Sequence, residues 1–306
     1  MAEQAHGAAT EFSEIPVIDM APFVSWWRLL LLEGSEGAAG EAEAAGRATA
    51  EAVGRACREV GFMVLQNTGI GDATMDGAMQ AARSFFAAPP AHKQTASNAG
   101  DRNYRGYETM EGKEAWEMGR ELAAEAGALP LHGPNRWPAA EHDGGAFRSA
   151  IEPYYAAAVA FARCLLGALC TALGLAPQHM QAETAEALAH LRMWRYEQAS
   201  EEGSLPEHTD HGFLTLLLQD GGGGLQARNR AGAWIDVPPI PHSLVINTGR
   251  LLSRWSNNVF PATFHRVRNN PRQDRYSIPL FFGTNFATVR APQLLSLRRS
   301  ALLCSQ

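Results

Sequence analysis

The hydrophobic pattern of the chain changes near residue 190, from helical spacing to short separated runs. Before that point, apolar residues recur at helical spacings in three segments, which predicts helices over 44–60, 73–86 and 146–173. Gly61 and Gly174 directly follow the first and the third segment, in the position that glycine often takes at a helix end. The first half of the chain is therefore expected to be largely helical.

Strand and loop signals lie between these helices. Short apolar runs at 15–19 and 62–65 predict two strands, the second of which ends in an Asn-Thr-Gly turn. The stretch 34–46 is rich in Gly, Ala and Glu, and we expect a loop there that runs into the first helix. The polar segment 95–145 shows little periodicity and is expected to be irregular with short strands.

After residue 190, short apolar runs alternate with turn residues. This pattern is typical of an antiparallel barrel or sandwich. The predicted strands lie at 191–196, 212–219, 224–226, 234–237, 243–247, 262–268 and 276–282.

Composition and charge narrow the class of protein. The chain has 306 residues, of which 46% are hydrophobic and 19% charged, and its formal net charge of −6 argues against phosphate polymers and anionic membranes as partners. Its four cysteines form no CxxC pair and are expected to be reduced thiols. The N-terminus has no signal-peptide pattern, and Arg163 interrupts the apolar stretch 154–175. We therefore expect a cytoplasmic protein.

The segment around residue 208 carries the first candidate chemistry. On a strand, residues two apart share a face, so His208 and Asp210 are expected to point toward one site. One further imidazole would complete a 2-His-1-carboxylate set, which suits non-haem Fe(II). His265, in a short apolar run, is the candidate third ligand. We expect His211, on the opposite face, and His242, in a Pro-rich turn, not to be ligands.

Ten residues after His265 a second pair shares a strand face. Arg275 and Ser277 place a guanidinium and a hydroxyl side by side, an arrangement that binds carboxylates. The ordered combination of HxD, a later His and RxS is much rarer than any of its parts.

The chain is similar, from about residue 15 to 290, to the isopenicillin N synthase-like branch of Fe(II)- and 2-oxoglutarate-dependent oxygenases. The motifs above carry the likeness together with several others. These are Gly61-Phe62, Arg105-Gly106-Tyr107, His132-Gly133-Pro134, Leu191-Arg192 through Tyr196, Gly224-Leu225-Gln226, Asn247-Thr248-Gly249 and His265-Arg266-Val267. The chain departs from the branch at Thr68 and Arg250, where His and Asp are common, and in its C-terminal tail, 294–306.

This resemblance implies a fold and a set of roles. The fold would be mainly β with flanking helices, a distorted double-stranded β-helix or jelly roll, with residues 1–145 wrapping as a helical and mixed region onto a core of 146–306 in one compact unit. His208, Asp210 and His265 would hold the iron. Arg275 and Ser277, helped by Tyr196, would bind 2-oxoglutarate.

The resemblance also implies a reaction. It is the oxidation of an unactivated C–H bond of a small molecule by O2, with release of succinate and CO2 and with ascorbate as a candidate reductant. Hydroxylation is the expected outcome, and desaturation or cyclisation are alternatives. The competing functions are an Fe(II) oxidase of the same fold without 2-oxoglutarate and a non-catalytic metal-binding or sensor protein. A monomer or weak homo-oligomer is expected.

Six residues are candidate substrate contacts. Two phenylalanines would supply apolar walls, and four polar or aromatic residues would meet a polar or acidic group of the substrate. They are Phe213, Phe282, Arg105, Tyr107, Arg192 and Trp194.

Overall fold

The computed structural model describes residues 12–37, 39–123, 129–198, 204–268 and 272–288. Its helices are α1 (Ala21–Gly37), α2 (Glu41–Glu59), α3 (Asp72–Ala87), α4 (Pro90–Gln94), α5 (Gly144–Ala172) and α6 (Arg250–Trp255). Its strands are β1 (Val17–Asp19), β2 (Phe62–Gln66), β3 (Gly106–Met110), β4 (Lys113–Gly119), β5 (Ala187–Tyr196), β6 (Leu205–His208), β7 (Leu214–Gln219), β8 (Leu225–Arg228), β9 (Trp234–Asp236), β10 (Leu244–Thr248), β11 (His265–Val267) and β12 (Arg275–Asn285).

The strands form two sheets. The major sheet has eight strands in the order β1-β2-β10-β7-β12-β5-β4-β3, and the minor sheet has four in the order β6-β11-β8-β9. All pairings are antiparallel except that of β1 with β2. Because sequence-distant strands alternate in the major sheet and the minor sheet packs against it, the core is the predicted double-stranded β-helix. The expected fold class is confirmed.

The two faces of the major sheet have different roles. One face packs with α1, α2, α3 and α5 into the main hydrophobic core, to which it contributes Trp116, Leu191 and Leu280. The other face turns toward the minor sheet, and a smaller apolar cluster that includes Phe62 and Val267 closes one end of the space between the sheets. Since side chains alternate along a strand, each strand of the major sheet supplies core with one set of residues and cavity lining with the other.

Helix α5 shows why apolar length alone is ambiguous. The helix is long and apolar enough to cross a membrane, but 61% of its most apolar 18-residue stretch is buried inside the fold. Its apolar residues face the main core and include Ile151, Phe161 and Leu165. Packing against the sheet and the neighbouring helices therefore accounts for its apolarity.

The loop predicted over 34–46 is largely helical, which corrects that expectation. Helix α1 continues to Gly37 across a kink at Gly34, where φ is 72°, and α2 starts at Glu41. Ala and Glu favour helix, and the two helices pack closely, because a Cβ at Gly46 would lie 2.5 Å from Trp26. The prediction that α2 ends at Gly61 is confirmed by the positive φ of that residue.

Candidate metal centre

The structure brings His208, Asp210 and His265 together. His208 ends β6 and His265 begins β11, and the two are direct partners across the antiparallel pair. One ligand atom from each of the three residues lies within 4.8 Å of the others. Asp210 Oδ1 is 3.7 Å from Nε2 of both histidines. Two imidazoles and one carboxylate at this spacing fit a single transition-metal ion and leave coordination positions for other ligands.

Asp210 does not share a strand with His208, which corrects the expectation from strand alternation. β6 ends at His208, and Asp210 lies in the irregular segment that follows it. Tertiary contacts position it instead. The backbone N–H of Arg250 donates to the Asp210 carbonyl at 2.8 Å. The Thr215 hydroxyl and the Asn247 amide both donate to Oδ2 of its carboxylate, the latter at 2.7 Å.

These contacts orient the three side chains for metal binding. With Oδ2 held by Thr215 and Asn247, Oδ1 faces the histidines. His208 Nδ1 lies 2.8 Å from the carbonyl of Pro206, and His265 Nδ1 lies 3.2 Å from that of Thr263. Donation from each Nδ1–H leaves the Nε2 lone pair free for a metal. Burial lowers the pKa of His265, and the negative charge of Asp210 opposes this shift. The lowered pKa favours the neutral imidazole that a metal requires.

A buried cation lies in the same cavity as the three candidate ligands. Arg275 and Ser277 line this cavity, and Arg275 is only 1% exposed. Its guanidinium donates to the Gly223 carbonyl at 2.8 Å, to Ser277 Oγ at 3.1 Å and to Gln219 Oε1 at 3.2 Å. Within the described residues no carboxylate forms an ion pair with it. Burial lowers the pKa of Arg275, so an anion that enters this end of the cavity would stabilise its charged form.

Two neighbours complete this end of the cavity. Tyr196, which the sequence identified, pairs with Arg275 across β5 and β12, and its ring lies 5.3 Å from the guanidinium. Gln219, which the sequence did not identify, pairs with Ser277, and its buried Nε2 has no partner in the described part of the chain. Only the register of β7 against β12 identifies this amide as a further donor at the same point.

Strand alternation sorts the predicted substrate contacts. Trp194 lines the cavity with the candidate ligands. Tyr107, Phe213 and Phe282 lie in the main hydrophobic core on the helix side of the sheet, which argues against contact with a substrate. Phe281, one residue from the predicted Phe282, lines the cavity instead.

The two predicted arginines differ in what they contact. Arg192 projects to the cavity side of β5, where its guanidinium lies 3.9 Å from the Trp194 ring centroid. It forms ion pairs with Glu108 and Glu117, the latter at 2.6 Å. Arg105 is 2% exposed and donates to the carbonyl of Leu131.

The residues expected not to bind metal lie outside the cluster. His211 is exposed, and His242 contacts the Asp76 carboxylate at 3.1 Å. Arg250 is exposed. The divergent tail, 294–306, lies outside the described residues.

One cavity of this double-stranded β-helix holds two histidines, one carboxylate and a buried arginine. These features define the class of non-haem iron oxygenases that use a carboxylate co-substrate. Two family models match the sequence. The 2OG-Fe(II) oxygenase superfamily matches residues 187–284, and the N-terminal region of non-haem dioxygenases in morphine synthesis matches 15–140. The chain belongs to the Fe(II)- and 2-oxoglutarate-dependent oxygenase family.

Individual relatives are similar to this protein over most of its length. It is 31% identical to homoarginine-6-hydroxylase 2-ODD-C23.1 of Arabidopsis thaliana, over 93% of this chain and 89% of the relative. It is 32% identical to the 2-oxoglutarate-Fe(II) type oxidoreductase hxnY of Emericella nidulans, over 88% and 79%. The crystal structure of a full-length Neurospora crassa protein in complex with alpha-KG and 5-formyluracil superimposes with a TM-score of 0.77 at 30% identity, covering 94% of this chain and 91% of that one.

The cofactors and the reaction class follow. The protein is an Fe(II)- and 2-oxoglutarate-dependent dioxygenase, an oxidoreductase whose cavity carries the donor set that iron requires. The alternatives of an oxidase without 2-oxoglutarate and of a non-catalytic metal-binding protein are not favoured.

Proposed function

We propose that the protein hydroxylates an unactivated C–H bond of a small polar molecule, with iron held by His208, Asp210 and His265. The observation that carries this proposal is the buried Arg275, a cation without a carboxylate partner among the described residues, in the same cavity as the three ligands. A dicarboxylate that spans from the metal to this guanidinium supplies the missing charge. One relative, which is named a homoarginine-6-hydroxylase, supports hydroxylation over desaturation or cyclisation.

The side chains divide the work in this proposal. Iron and 2-oxoglutarate, when bound, supply the oxidising chemistry. The two histidines and Asp210 hold the metal on one side. Arg275, Ser277, Tyr196 and Nε2 of Gln219, which has no partner among the described residues, bind and orient the distal carboxylate of 2-oxoglutarate.

The lining of the cavity is partly apolar, which limits the access of water. Pro279, Phe281 and Leu217 project into it from the major sheet, and Leu225 and Val267 project from the minor sheet. Such a lining protects a reactive oxidant from side reactions. A cavity of this kind suits a small-molecule substrate. We also propose that the protein is cytoplasmic and is a monomer or a weak homo-oligomer.

The experiment combines metal binding with succinate formation. Fe(II) and 2-oxoglutarate binding are measured anaerobically by calorimetry for the wild type, His265→Ala and the control His242→Ala. Succinate release under O2 is then measured with and without candidate substrates. We expect His265→Ala to lose metal binding and succinate formation, and His242→Ala to retain both. Full metal binding by His265→Ala, or wild-type turnover without succinate, would refute the proposal.

A further inference from the structure

Arg105 is a buried cation with unused hydrogen-bond donors. It is 2% exposed, and its hydrogen-bond partner among the described residues is the Leu131 carbonyl, 2.8 Å from Nη2. Its Nε and Nη1 are buried without a partner in the described part of the chain. Burial lowers the pKa of Arg105, with Tyr155 and Glu117 opposing the shift. Buried donors in native proteins are nearly always satisfied, so these two point to an acceptor that the described residues do not supply.

The guanidinium of Arg105 occupies the space beside a glycine on the cavity side of β4. A Cβ built on Gly119 would lie 2.1 Å from Nη2 of Arg105. Along β4, Trp116 and Met118 belong to the main hydrophobic core, whereas Ala115 packs with the cavity-lining Trp194. By alternation, the Cα hydrogen of Gly119 that a Cβ would replace points to the cavity side. Arg105 is therefore at the edge of the cavity face.

The register of the sheet connects this position to the metal ligands. Gly119 pairs with His190, His190 with Phe281, and Phe281 with Thr215, whose hydroxyl donates to Asp210. Three steps between adjacent strands separate Gly119 from Thr215, which is roughly 14 Å between their Cα atoms. Phe281, midway along this row, lines the metal cavity. A small molecule lying across Phe281 would therefore reach from the metal to the Arg105 end.

The other charged groups in and beside this row already have partners. One oxygen of Glu117 accepts from Arg192 at 2.6 Å, and the other lies against His190 Nε2. Arg192 also pairs with Glu108. Both terminal nitrogens of Arg192 are therefore engaged by carboxylates, whereas Arg105 has no ion-pair partner among the described residues.

We propose that Arg105 anchors the far end of the substrate, by binding a carboxylate or amide carbonyl oxygen at the edge of the cavity beside Gly119. This inference deepens the proposed function and rests on it. The substrate class is a small molecule with a planar acceptor group roughly 10–15 Å from the ligand cluster, a distance that follows from the strand spacing. Glu117 and His190 form the polar wall beside this group.

Two variants perturb the anchor in different ways. Arg105→Met removes the donors and keeps an unbranched side chain. Gly119→Ala keeps all charges but introduces a methyl group into the space of the guanidinium, whose flexible end can move away. The matched controls are Arg102→Met, at an exposed arginine nearby, and Gly77→Ala, at a helix glycine with nothing within 4 Å of the added Cβ. Thermal unfolding first shows which variants are folded.

The binding test uses probes that differ only in the acceptor group. Phenylacetic acid, phenylacetamide and phenethylamine, with their indolyl counterparts, are titrated calorimetrically into the anaerobic protein saturated with Fe(II) and 2-oxoglutarate. We expect the acids or amides to bind and the amines not to bind. Arg105→Met and Gly119→Ala should each weaken this binding roughly tenfold or more, and the controls should not.

Each outcome bears on the anchor. Stronger binding of acids than of amides identifies a carboxylate, and the reverse identifies a carbonyl. Equal binding of the amines, unchanged affinity in both anchor variants, or no binding by any acid or amide overturns the inference. Prior binding of Fe(II) and 2-oxoglutarate to the wild type tests the proposed function separately, so the two failures are distinguishable.

Discussion

Replacing Arg275 by Met should separate the stability of the protein from its affinity for 2-oxoglutarate. In the ligand-free protein, the change removes three hydrogen bonds, each worth about 1 kcal/mol or somewhat more because the donor is charged. It also removes a buried charge that has no carboxylate partner in the described structure, and such a charge costs several kcal/mol to desolvate. The two effects oppose each other. We therefore expect the free energy of unfolding to change by no more than about 2 kcal/mol.

The effect on the complex should be much larger. Two charge-assisted hydrogen bonds to the distal carboxylate contribute about 3–6 kcal/mol, so the affinity should fall by about a hundredfold or more. At a concentration of 100 times its dissociation constant, 2-oxoglutarate stabilises the wild type by about 2.7 kcal/mol. At the same concentration, this stabilisation should nearly vanish in Arg275→Met.

The assay is chemical denaturation with Fe(II), anaerobically, with and without 2-oxoglutarate. Arg163→Met is the matched control. Arg163 lies on α5, on the helix side of the fold, and its guanidinium also donates to backbone carbonyls, those of Thr184 and Ala185. The control should keep the full stabilisation by ligand. If Arg275→Met unfolds far more easily without ligand yet gains the wild-type increment from 2-oxoglutarate, the expectation is refuted and Arg275 is a structural residue.

Three further changes test the surroundings of the site. Asn247→Leu removes one hydrogen bond to the Asp210 carboxylate and should weaken Fe(II) affinity about 10- to 100-fold in a metal titration, and unchanged affinity would remove Asn247 from the metal-orienting role. Burial alone would raise the pKa of Glu114, but hydrogen bonds from neighbouring cations and a tyrosine lower it overall, so its stabilising effect should be present above about pH 4.5 and be lost as the pH falls further. The stability difference between wild type and Glu114→Gln should therefore shrink on acidification in denaturation curves, and a difference that grows would contradict the sign. Gly249→Ala places a Cβ 2.1 Å from the Gly212 carbonyl and should cost about 1–3 kcal/mol of unfolding free energy, whereas a neutral result would show that this backbone contact can relax.

The sequence predicted which candidate ligands come together better than how they are positioned. The HxD spacing and the later His265 identify residues that do meet in space, but Asp210 reaches the site through Thr215 and Asn247. Contacts between residues 37 positions apart, such as Asn247 with Asp210, have no local signal in the chain. Strand alternation was informative only where a residue of known orientation fixed the starting point of the count.

The substrate contacts illustrate this dependence on a reference residue. Counting by twos from Arg275 reaches Ser277, Pro279 and Phe281, all of which line the cavity. Phe282 is out of step and packs in the helix-facing core. The count was available from the sequence, since the RxS pair had already fixed the face. Gln219 was not, because its role depends on the pairing of β7 with β12.

Charge pairing distinguishes structural cations from cations that await a ligand. Lys93, Arg105 and Arg275 are the buried cations among the described residues, each at most 5% exposed. Lys93 forms an ion pair with Glu114, which lies on the helix side of the sheet with Tyr107, and its charge is satisfied within the protein. Arg105 and Arg275 have no such partner within the described ranges. Arg105 directly precedes β3 and Arg275 begins β12, and both lie toward the cavity side. Since a buried charge without a partner destabilises the ligand-free fold, its presence at both places is best explained by two ligands, 2-oxoglutarate at Arg275 and the acceptor group of the substrate at Arg105.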